Sequence, residues 1–348
     1  MTAPIAVTVL GATGLVGQRF VRRLAGHPWF SVAHVVASER SLGLRYADAC
    51  AWRAGGRPHA GLGDMRLEAL DAAGQATPVV FSALPSELAR EVEPAFARQG
   101  SLVFSNASAW RMEEDVPLIV PEVNGRALEL LDRQRRLRNW SGGIVTNPNC
   151  VTAILSLPVA ALHRAGRLTA VRVSTFQALS GAGARGLFAL DALDNVIPHI
   201  AKEASKISEE LAKILPTEGD HDRPVVSASC HRVPVSNGHG MDVSLAFRDG
   251  APTAEEARQI LSTFRGDDEL ETLPTSPFPP MRVHGLPDRP QHAIDLGDTD
   301  MTVHVGNVEP CPIMGLKLYA LGHNLERGAA GGSLQNAELA RVMGYIRS

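Results

Sequence analysis

The chain contains 348 residues, of which 45% are hydrophobic and 20% are charged, and its formal net charge is −3. This length provides for two domains with substantial cores, and the composition is ordinary for a globular protein. The sequence has no long basic block and no apolar run of bilayer-spanning length, so neither nucleic-acid binding nor membrane association is predicted.

The first 150 residues predict alternating strands and helices. Buried strands are expected at residues 7–10, 31–37, 78–84 and 102–104, and amphipathic helices at residues 15–24 and 86–98. Residues 1–16 are apolar but lack a basic leading segment and a cleavage site, so we expect a strand and turn there rather than a signal peptide. The alternation predicts an α/β first domain, residues 1–149, with a Rossmann-type doubly wound parallel sheet.

After residue 150 the pattern changes to longer strands of an antiparallel kind. They are predicted at residues 170–178, 225–235, 241–247 and 314–321, with helices at residues 203–215 and 253–264. We therefore predict an α+β domain with a mostly antiparallel sheet over residues 150–323. The proline-rich residues 273–290 are predicted to be irregular, and the helical segment 324–348 is expected to pack back onto the first domain.

The glycine-rich segment Gly11-Ala12-Thr13-Gly14-Leu15-Val16-Gly17 follows a predicted strand and opens a predicted helix. In a dinucleotide-binding loop Gly11 would permit the tight turn, Gly14 would let the backbone approach a pyrophosphate, and Gly17 would let helix and strand pack closely. A glycine trio alone is a weak signal, because a tight turn also explains it. The strand before it and the helix after it favour a dinucleotide site.

The end of the second predicted strand bears on the choice between the two nicotinamide dinucleotides. An acidic residue at this point usually binds the ribose hydroxyls of NAD, so Glu39 leaves NAD as an alternative cofactor. Arg40 and the hydroxyls of Ser38 and Ser41 are instead suited to a 2′-phosphate, because a guanidinium matches phosphate geometry. We therefore predict NADP.

Cys150 is the candidate nucleophile. The four cysteines, Cys50, Cys150, Cys230 and Cys311, lie far apart, which argues against a zinc ribbon or a disulfide framework, predicts no metal site and fits a cytoplasmic protein. Cys150 precedes a helical pattern, and the dipole of a helix start favours a thiolate. With His239 as a candidate base, this predicts aldehyde or acyl-phosphate redox chemistry through a thioester. The competing interpretation is a buried, inert thiol.

Several separated motifs carry a resemblance to the aspartate-semialdehyde dehydrogenase family, in its archaeal and fungal branch. They are Thr146-Asn147-Pro148-Asn149-Cys150, Phe176-Gln177-Ala178-Leu179-Ser180-Gly181-Ala182-Gly183 and Arg232-Val233-Pro234-Val235-Ser236-Asn237-Gly238-His239. Ser105-Asn106-Ala107-Ser108, Asp194-Asn195-Val196-Ile197-Pro198 and Gly322-His323-Asn324 extend the match over nearly the whole chain. Their common order makes the resemblance far more specific than any single motif.

The resemblance implies NADP-dependent reductive dephosphorylation of L-aspartyl-4-phosphate, a step toward lysine, threonine and methionine. It assigns Cys150 as nucleophile, Gln177 as the group that orients the acyl intermediate and His239 as acid and base. It assigns substrate and phosphate binding to Arg232 (α-carboxylate), Glu203 (amino group), Arg111 and Lys206 (phosphate) and Asn149. The implied cofactor contacts are Gly11, Thr13, Gly14, Leu15, Val16, Gly17, Ser38, Arg40, Ser41, Ser82, Leu84, Ser180, Gly181, Gly183 and Asn324. A homodimer or homotetramer is also implied, through a second domain that serves catalysis and dimerisation.

Among the departures from the pattern of the family, two segments in particular leave alternatives open. The first is the substrate helix, which is less acidic than in relatives and reads Lys202-Glu203-Ala204-Ser205-Lys206. The second follows His239: relatives often have an acidic residue shortly after this histidine, whereas this chain has Gly240-Met241-Asp242. One alternative is a paralogue that reduces N-acetyl-glutamyl phosphate or an acyl-CoA such as malonyl-CoA. Another is a non-catalytic NADP-binding dimer partner. The intact set of catalytic and binding residues argues against it, namely Cys150, Gln177, Arg232 and His239.

Overall fold

The computed structural model describes residues 3–183, 186–217 and 219–346. The last two residues of the C-terminal segment, 347 and 348, lie outside this description, as do residues 1 and 2. No helix within it is both long and apolar enough to cross a bilayer.

The first domain is built on a five-stranded, fully parallel sheet. Its strands are β1 (Ile5–Leu10), β2 (Phe30–Val36), β3 (Val79–Ser82), β4 (Leu102–Ser105) and β5 (Gly143–Thr146). The strand order β2-β1-β3-β4-β5 reverses direction between β1 and β3. In open α/β sheets, ligands bind beyond the carboxyl ends of the strands at this reversal. The sequence prediction of a Rossmann-type parallel sheet is confirmed.

The helices of this part of the chain connect the parallel strands and lead into the second domain. They are α1 (Leu15–Leu24), α2 (Tyr46–Ala49), α3 (Ala60–Gly63), α4 (Ser86–Arg98), α5 (Pro121–Asn124), α6 (Leu130–Arg138) and α7 (Cys150–Gly166). Helix α7 is buried on nearly every face from Val151 to His163, as expected of a helix that is apolar all round. It packs against the second sheet and thereby fixes its first residue, Cys150, between the domains.

The second domain contains a six-stranded mixed sheet. Its strands are β6 (Leu168–Gln177), β7 (Val225–Arg232), β8 (His239–Phe247), β9 (Met281–Val283), β10 (Val303–Cys311) and β11 (Gly315–Gly322), in the order β7-β6-β8-β11-β10-β9. The helices are α8 (Ala189–Ala192), α9 (Glu203–Ile214), α10 (Ala254–Thr263), α11 (His292–Asp295) and α12 (Gly331–Val342). Helices α7, α9 and α10 pack on one face of this sheet.

The prediction of a mostly antiparallel second sheet is confirmed. The three central pairings, β6–β8, β8–β11 and β11–β10, are antiparallel, whereas the outer strands pair in parallel, β7 with β6 and β9 with β10. Strand β9 lies within residues 273–290, which we predicted to be irregular, and β10 was missed. Strand β10 has an irregular register between Gly306 and Glu309 and carries Pro310, so its alternation is interrupted.

The end of the chain contacts the first domain. Leu334, Ala337 and Ala340 of α12 belong to the same apolar cluster as Val7 and Phe104 of the first sheet. This packing agrees with the expected return of the C-terminal helix, while the proposed boundaries at residues 149 and 323 stay a prediction.

Candidate active site

One cavity of about 630 Å³ opens between the two domains and gathers most of the predicted site residues. Those that line it are Gly14, Leu15, Val16, Leu84, Arg111, Asn149, Cys150, Gln177, Ser180, Gly181, Gly183, Glu203, Lys206, Arg232 and Asn324. The cavity therefore joins part of the glycine loop to the candidate nucleophile and to four charged side chains.

Cys150 is the first residue of α7, and Asn149 caps that helix. The Asn149 side chain accepts hydrogen bonds from the backbone N–H groups of Val151 at 2.9 Å and Thr152 at 3.4 Å. These contacts satisfy donors that a helix leaves free at its N-terminus. The half-buried sulfur thus lies at a helix entrance, as the sequence pattern predicts.

Sheet register explains why three distant residues meet beside the sulfur. Gln177 ends β6, and it is paired with Arg232 at the end of β7 on one side and with His239 at the start of β8 on the other. The three side chains therefore stand in a row across adjacent strands. Gly181 faces this row, because a Cβ atom there would lie 2.7 Å from Arg232 Nη1 and 3.2 Å from His239 Cε1.

His239 is fully buried and directs Nε2 to Cys150 Sγ at 3.1 Å. Its other ring nitrogen, Nδ1, accepts the backbone N–H of Ala178 at 3.1 Å. Because the neutral ring carries one proton, this contact assigns the proton to Nε2, where it faces the sulfur. The imidazole is therefore oriented as a hydrogen-bond donor to the Cys150 sulfur.

The structure corrects the expectation that the helix start makes Cys150 an acidic thiol. Burial, together with the negative charge of Glu203, raises the pKa of the Cys150 thiol to about 12, against the opposing charges of Arg111 and Arg232. Burial and the positive charge of Arg232 lower the pKa of His239 to about 3. Since desolvation outweighs the helix terminus, the free site holds a neutral thiol beside a neutral imidazole.

The raised pKa of Cys150 predicts slow alkylation at neutral pH in the cofactor-free protein. Because only the thiolate reacts, the rate constant with iodoacetamide should rise about tenfold per pH unit between about pH 7 and about pH 9. Glu203→Gln removes a charge that raises the thiol pKa, so this variant should react faster than the parent at each pH. Peptide-level mass spectrometry gives the rate at Cys150 separately from that at Cys311.

The matched control is Glu209→Gln, which removes an exposed carboxylate from the same helix, α9. It should leave the alkylation rate unchanged. If the alkylation rate of the parent protein stops rising at about pH 7, the Cys150 pKa is not raised, and the thiol is acidic as predicted from the sequence.

Arg232 and Glu203 provide opposite charges within the cavity. Both side chains are mostly buried, and Arg232 Nη1 donates to the Ala178 carbonyl at 2.7 Å. Glu203, the first residue of α9, accepts from Asn149 Nδ2 at 2.8 Å, and Lys206 Nζ lies 3.9 Å from it. The remaining donors and acceptors of this pair can receive a substrate that carries both a carboxylate and an ammonium group.

Arg111 reaches the cavity from the turn after β4. Its Nη1 donates to Glu210 at 2.9 Å and its Nη2 to the Asn106 carbonyl at 2.7 Å. Its Nε is buried and has no hydrogen-bond partner among the described residues. Arg111 does not stack on the neighbouring Trp110, because Arg90 and Arg138 occupy the faces of that ring.

A π-helical turn near the end of the chain packs directly against the nucleophile. Glu326–Ala330 form this turn, and π-turns are frequent at functional sites. A Cβ atom on Gly328 would lie 2.5 Å from Cys150 Cβ, so only glycine fits there. Asn147 Nδ2 donates to the Gly328 carbonyl at 3.1 Å and ties the turn to the segment before the helix.

The glycine loop has the close packing that the motif requires. Gly11 has φ of +72°, and a Cβ there would lie 2.8 Å from the Ala83 carbonyl oxygen of the neighbouring strand end. A Cβ on Gly17 would lie 2.1 Å from the Gly11 oxygen, so helix and loop touch at this point. Gly14 faces the cavity. The loop thus presents bare backbone and a helix N-terminus to the space where a pyrophosphate would sit.

A second cavity, of about 650 Å³, lies at the end of β2. Thr13, Ser38, Arg40 and Ser41 line it as predicted, together with Arg53 and Gln18. Glu39 is exposed and does not line it. Two arginines and hydroxyl groups suit a phosphate better than a ribose diol.

Four predicted residues line neither cavity. Gly11 and Gly17 act through backbone packing, and His239 lies behind Cys150. Ser82 is fully buried at the end of β3, and its carbonyl accepts from the Asn106 side chain.

Several residues of the main cavity escaped the sequence-based selection of site residues. They include Ser86, Asn106, Ser108, Ile200, Gly328 and Ala329. Asn106 and Ser108 follow β4 at the carboxyl edge of the parallel sheet, where ligands are expected, so strand position could have found them. Gly328 gave no sequence signal, because its role depends on a tertiary contact.

Among the described residues, one group has the atoms to hold a metal ion. The potential ligand atoms of His284, Asp295 and His304 lie within 4.8 Å of one another. However, Asp295 is ion-paired with Arg289, and His284 turns opposite ring nitrogens to His304 and Asp295. None of the three groups lines the main cavity.

Comparison with known protein families identifies the chain. The family model for the semialdehyde dehydrogenase NAD-binding domain matches residues 6–131, and the model for the semialdehyde dehydrogenase dimerisation domain matches residues 159–327. Aspartate-semialdehyde dehydrogenase of Archaeoglobus fulgidus is 45% identical over 96% of this chain and 97% of its own. The chain belongs to the aspartate-semialdehyde dehydrogenase family.

Structural similarity extends to the whole fold. The crystal structure of aspartate-semialdehyde dehydrogenase with NADP from Candida albicans superposes with a TM-score of 0.90 at 33% identity, covering 99% of this chain and 100% of that one. A curated relative of a different name is the malonyl-CoA reductase (NADP) of Metallosphaera sedula, 32% identical over 99% of both chains. The relatives that this chain matches over nearly their whole length thus carry two different enzyme names.

Proposed function

We propose that this protein catalyses the NADP-dependent reductive dephosphorylation of L-aspartyl-4-phosphate to L-aspartate-4-semialdehyde, through a thioester on Cys150. The observation that supports it most is the 3.1 Å contact between Cys150 Sγ and His239 Nε2 beside a cavity that also contains the glycine loop. The relatives with this name cover nearly the whole chain. The product serves lysine, threonine and methionine biosynthesis.

Two opposite charges select the amino-acid end of the substrate. Arg232 binds the α-carboxylate, because a guanidinium pairs with a carboxylate through two parallel hydrogen bonds. Glu203 binds the α-ammonium group, and Asn149 holds the Glu203 carboxylate in place. An N-acetyl or malonyl group offers no cation to Glu203, which favours aspartyl phosphate over the alternative substrates.

Arg111 and Lys206 bind the phosphate. The buried, unpartnered Nε of Arg111 supports this assignment, since a buried donor without an acceptor is costly in the free protein and is satisfied by an anion. Lys206 lines the same cavity as a second cation. Together they stabilise the charge that collects on the departing phosphate.

The chain's own groups carry the covalent steps. Cys150 thiolate attacks the acyl carbon, the bond from that carbon to the phosphate oxygen breaks, and phosphate leaves with the electron pair. Gln177 orients the thioester, and the Nε2 proton of His239 stabilises the oxyanion of the hemithioacetal. Collapse of the hemithioacetal then releases the aldehyde and restores the thiolate. The proton of the Cys150 thiol leaves with the phosphate, and water returns a proton to the sulfur after the aldehyde is released. His239 donates from Nε2 to the sulfur and to the oxyanion throughout.

The residues of the two cavities fit NADP. Gly11 and Gly14 leave room for the pyrophosphate at the start of α1, and Arg40 with Ser38 and Ser41 suits the 2′-phosphate. Ser180, Gly183 and Asn324 line the space between this loop and Cys150. When bound, the reduced nicotinamide supplies the hydride that converts the thioester to the hemithioacetal.

The protein acts as a homodimer or homotetramer in this proposal. Helices cover one face of the second sheet, whereas Phe176, Asp242 and Tyr319 lie on the other face and are only partly buried or exposed. This open face lies within the residues matched by the dimerisation-domain model and is suited to a second copy. All four cysteines lie in described segments and are unpaired, which supports a cytoplasmic location.

The deciding experiment follows NADP reduction in the reverse direction with a panel of aldehydes. L-aspartate-semialdehyde should support phosphate-dependent reduction, with kcat/KM at least about 100-fold above that for succinic and N-acetyl-glutamic semialdehydes. The same assay with coenzyme A in place of phosphate tests the acyl-CoA alternative. Faster turnover with coenzyme A, or preference for another aldehyde, would overturn the proposed substrate.

A further inference from the structure

The inner face of α9 carries four charged residues, of which the proposed mechanism uses two. Glu203, Lys206, Glu210 and Lys213 recur at spacings of three and four, so they form one stripe along the helix. Glu203 and Lys206 line the cavity. Glu210 and Lys213 lie one and two turns further along, away from the cavity wall.

Glu210 binds two parts of the site at once. Its Oε2 accepts the backbone N–H of Asn149 at 2.5 Å, and its Oε1 accepts from Arg111 Nη1 at 2.9 Å. The side chain is 2% exposed, so water does not compete for these contacts. A single buried carboxylate therefore links the residue before the nucleophile to the arginine that we assign to phosphate.

Lys213 holds the backbone of the same arginine turn. Its Nζ donates to the carbonyl oxygens of Arg111, Glu113 and Val116 at 2.6, 2.7 and 2.9 Å. Arg111 is thus fixed by α9 twice, through its guanidinium and through its main chain. With Nη1 on Glu210 and Nη2 on the Asn106 carbonyl, the guanidinium has one orientation, in which Nε meets no partner in the part of the chain that the structure describes.

We infer that Glu210 is a positioning residue that sets the phosphate-binding guanidinium of Arg111 relative to the Cys150 sulfur. The inference rests on the proposed function, because it takes Arg111 as the phosphate ligand. Glu210 touches neither substrate nor cofactor, and it acts through Arg111 and Asn149. Its carboxylate also supplies the negative charge that lets a cation be buried at this point without phosphate.

The test uses Glu210→Gln, because glutamine keeps the size but can accept from only one of the two donors. In the phosphate-dependent oxidation of L-aspartate-semialdehyde, its KM for phosphate should rise about tenfold or more, while its KM for the aldehyde stays within about twofold of the parent value. Glu210→Asp should restore part of the phosphate affinity, since it restores the charge. Glu209→Gln should behave as the parent.

A double variant separates positioning from a general loss of structure. If Glu210 acts through Arg111, the double variant with Glu210→Gln and Arg111→Gln should have the same KM for phosphate as Arg111→Gln alone. Additive effects of the two substitutions, equal rises in both KM values, or an unchanged phosphate KM in Glu210→Gln would each overturn the inference.

A readout without turnover keeps this test independent of the substrate assignment. Bound phosphate should slow the alkylation of Cys150 by iodoacetamide, and Glu210→Gln should require about tenfold more phosphate for half protection. If the parent protein oxidises no aldehyde of the panel, the proposed function fails, and this protection curve still decides the role of Glu210. Equal half-protection concentrations in parent and variant would refute it.

Discussion

Cys150→Ser should lower kcat by at least about 10³-fold while leaving the fold and NADP binding unchanged. A hydroxyl group is too weakly acidic to attack the acyl carbon and cannot form the thioester. Serine is close in size to cysteine, so the Asn149 cap and the contact with Gly328 should persist. Steady-state assays give the loss in kcat, and equilibrium titration by NADPH fluorescence gives the affinity.

The control for this variant is Cys311→Ser, which changes a cysteine at the β10–β11 turn that lines neither cavity. It should keep the kcat of the parent. Turnover by Cys150→Ser within about tenfold of the parent would exclude a thioester on this residue. A loss of NADPH affinity in the variant would show that the substitution disturbs more than the nucleophile.

Arg232→Lys should raise the KM for L-aspartate-semialdehyde by about 10- to 100-fold. Lysine keeps the charge but presents a point donor, so the bidentate geometry with the α-carboxylate is lost. Arg232 also donates to the Ala178 carbonyl from the end of β7, and a shorter reach from lysine weakens that contact. The KM for phosphate should change little, because Arg111 and Lys206 set it.

Arg172→Lys is the matched control, since Arg172 is exposed on β6 of the same sheet. It should leave both KM values unchanged. An unchanged aldehyde KM in Arg232→Lys would remove Arg232 from the carboxylate site. A large rise in the phosphate KM instead would reassign Arg232 to the phosphate.

Local patterns predicted the helices well and the sheet topology only in part. The predicted helices at residues 15–24 and 86–98 coincide with α1 and α4, because apolar spacing and flanking turns are local properties. Pairing direction is a property of the whole sheet, so the parallel β6–β7 pair could not be derived from the alternation in either strand. Strand β10 was missed because Pro310 and its irregular register interrupt the period of two.

In the candidate site, too, local features could be predicted from the sequence and tertiary ones could not. Cys150 and the glycine loop could be found because each is marked by the residues next to it. Arg232, Gln177 and His239 are neighbours only because of the sheet register. No local pattern marks them as a group, and the sequence pointed to them only through the resemblance to a family. The direction of the Cys150 pKa was predicted wrongly, since the helix start is visible in the sequence whereas burial is not.

The π-helical turn at residues 326–330 determines when the active site can form during synthesis of the chain. Gly328 rests against Cys150, and Asn324 joins Ser180 to Gly238 through its side-chain amide. The whole second sheet lies between Cys150 and this turn in chain order, so a nascent polypeptide carries the sulfur before it carries the wall that encloses it. Catalytic competence therefore requires synthesis to have passed residue 330.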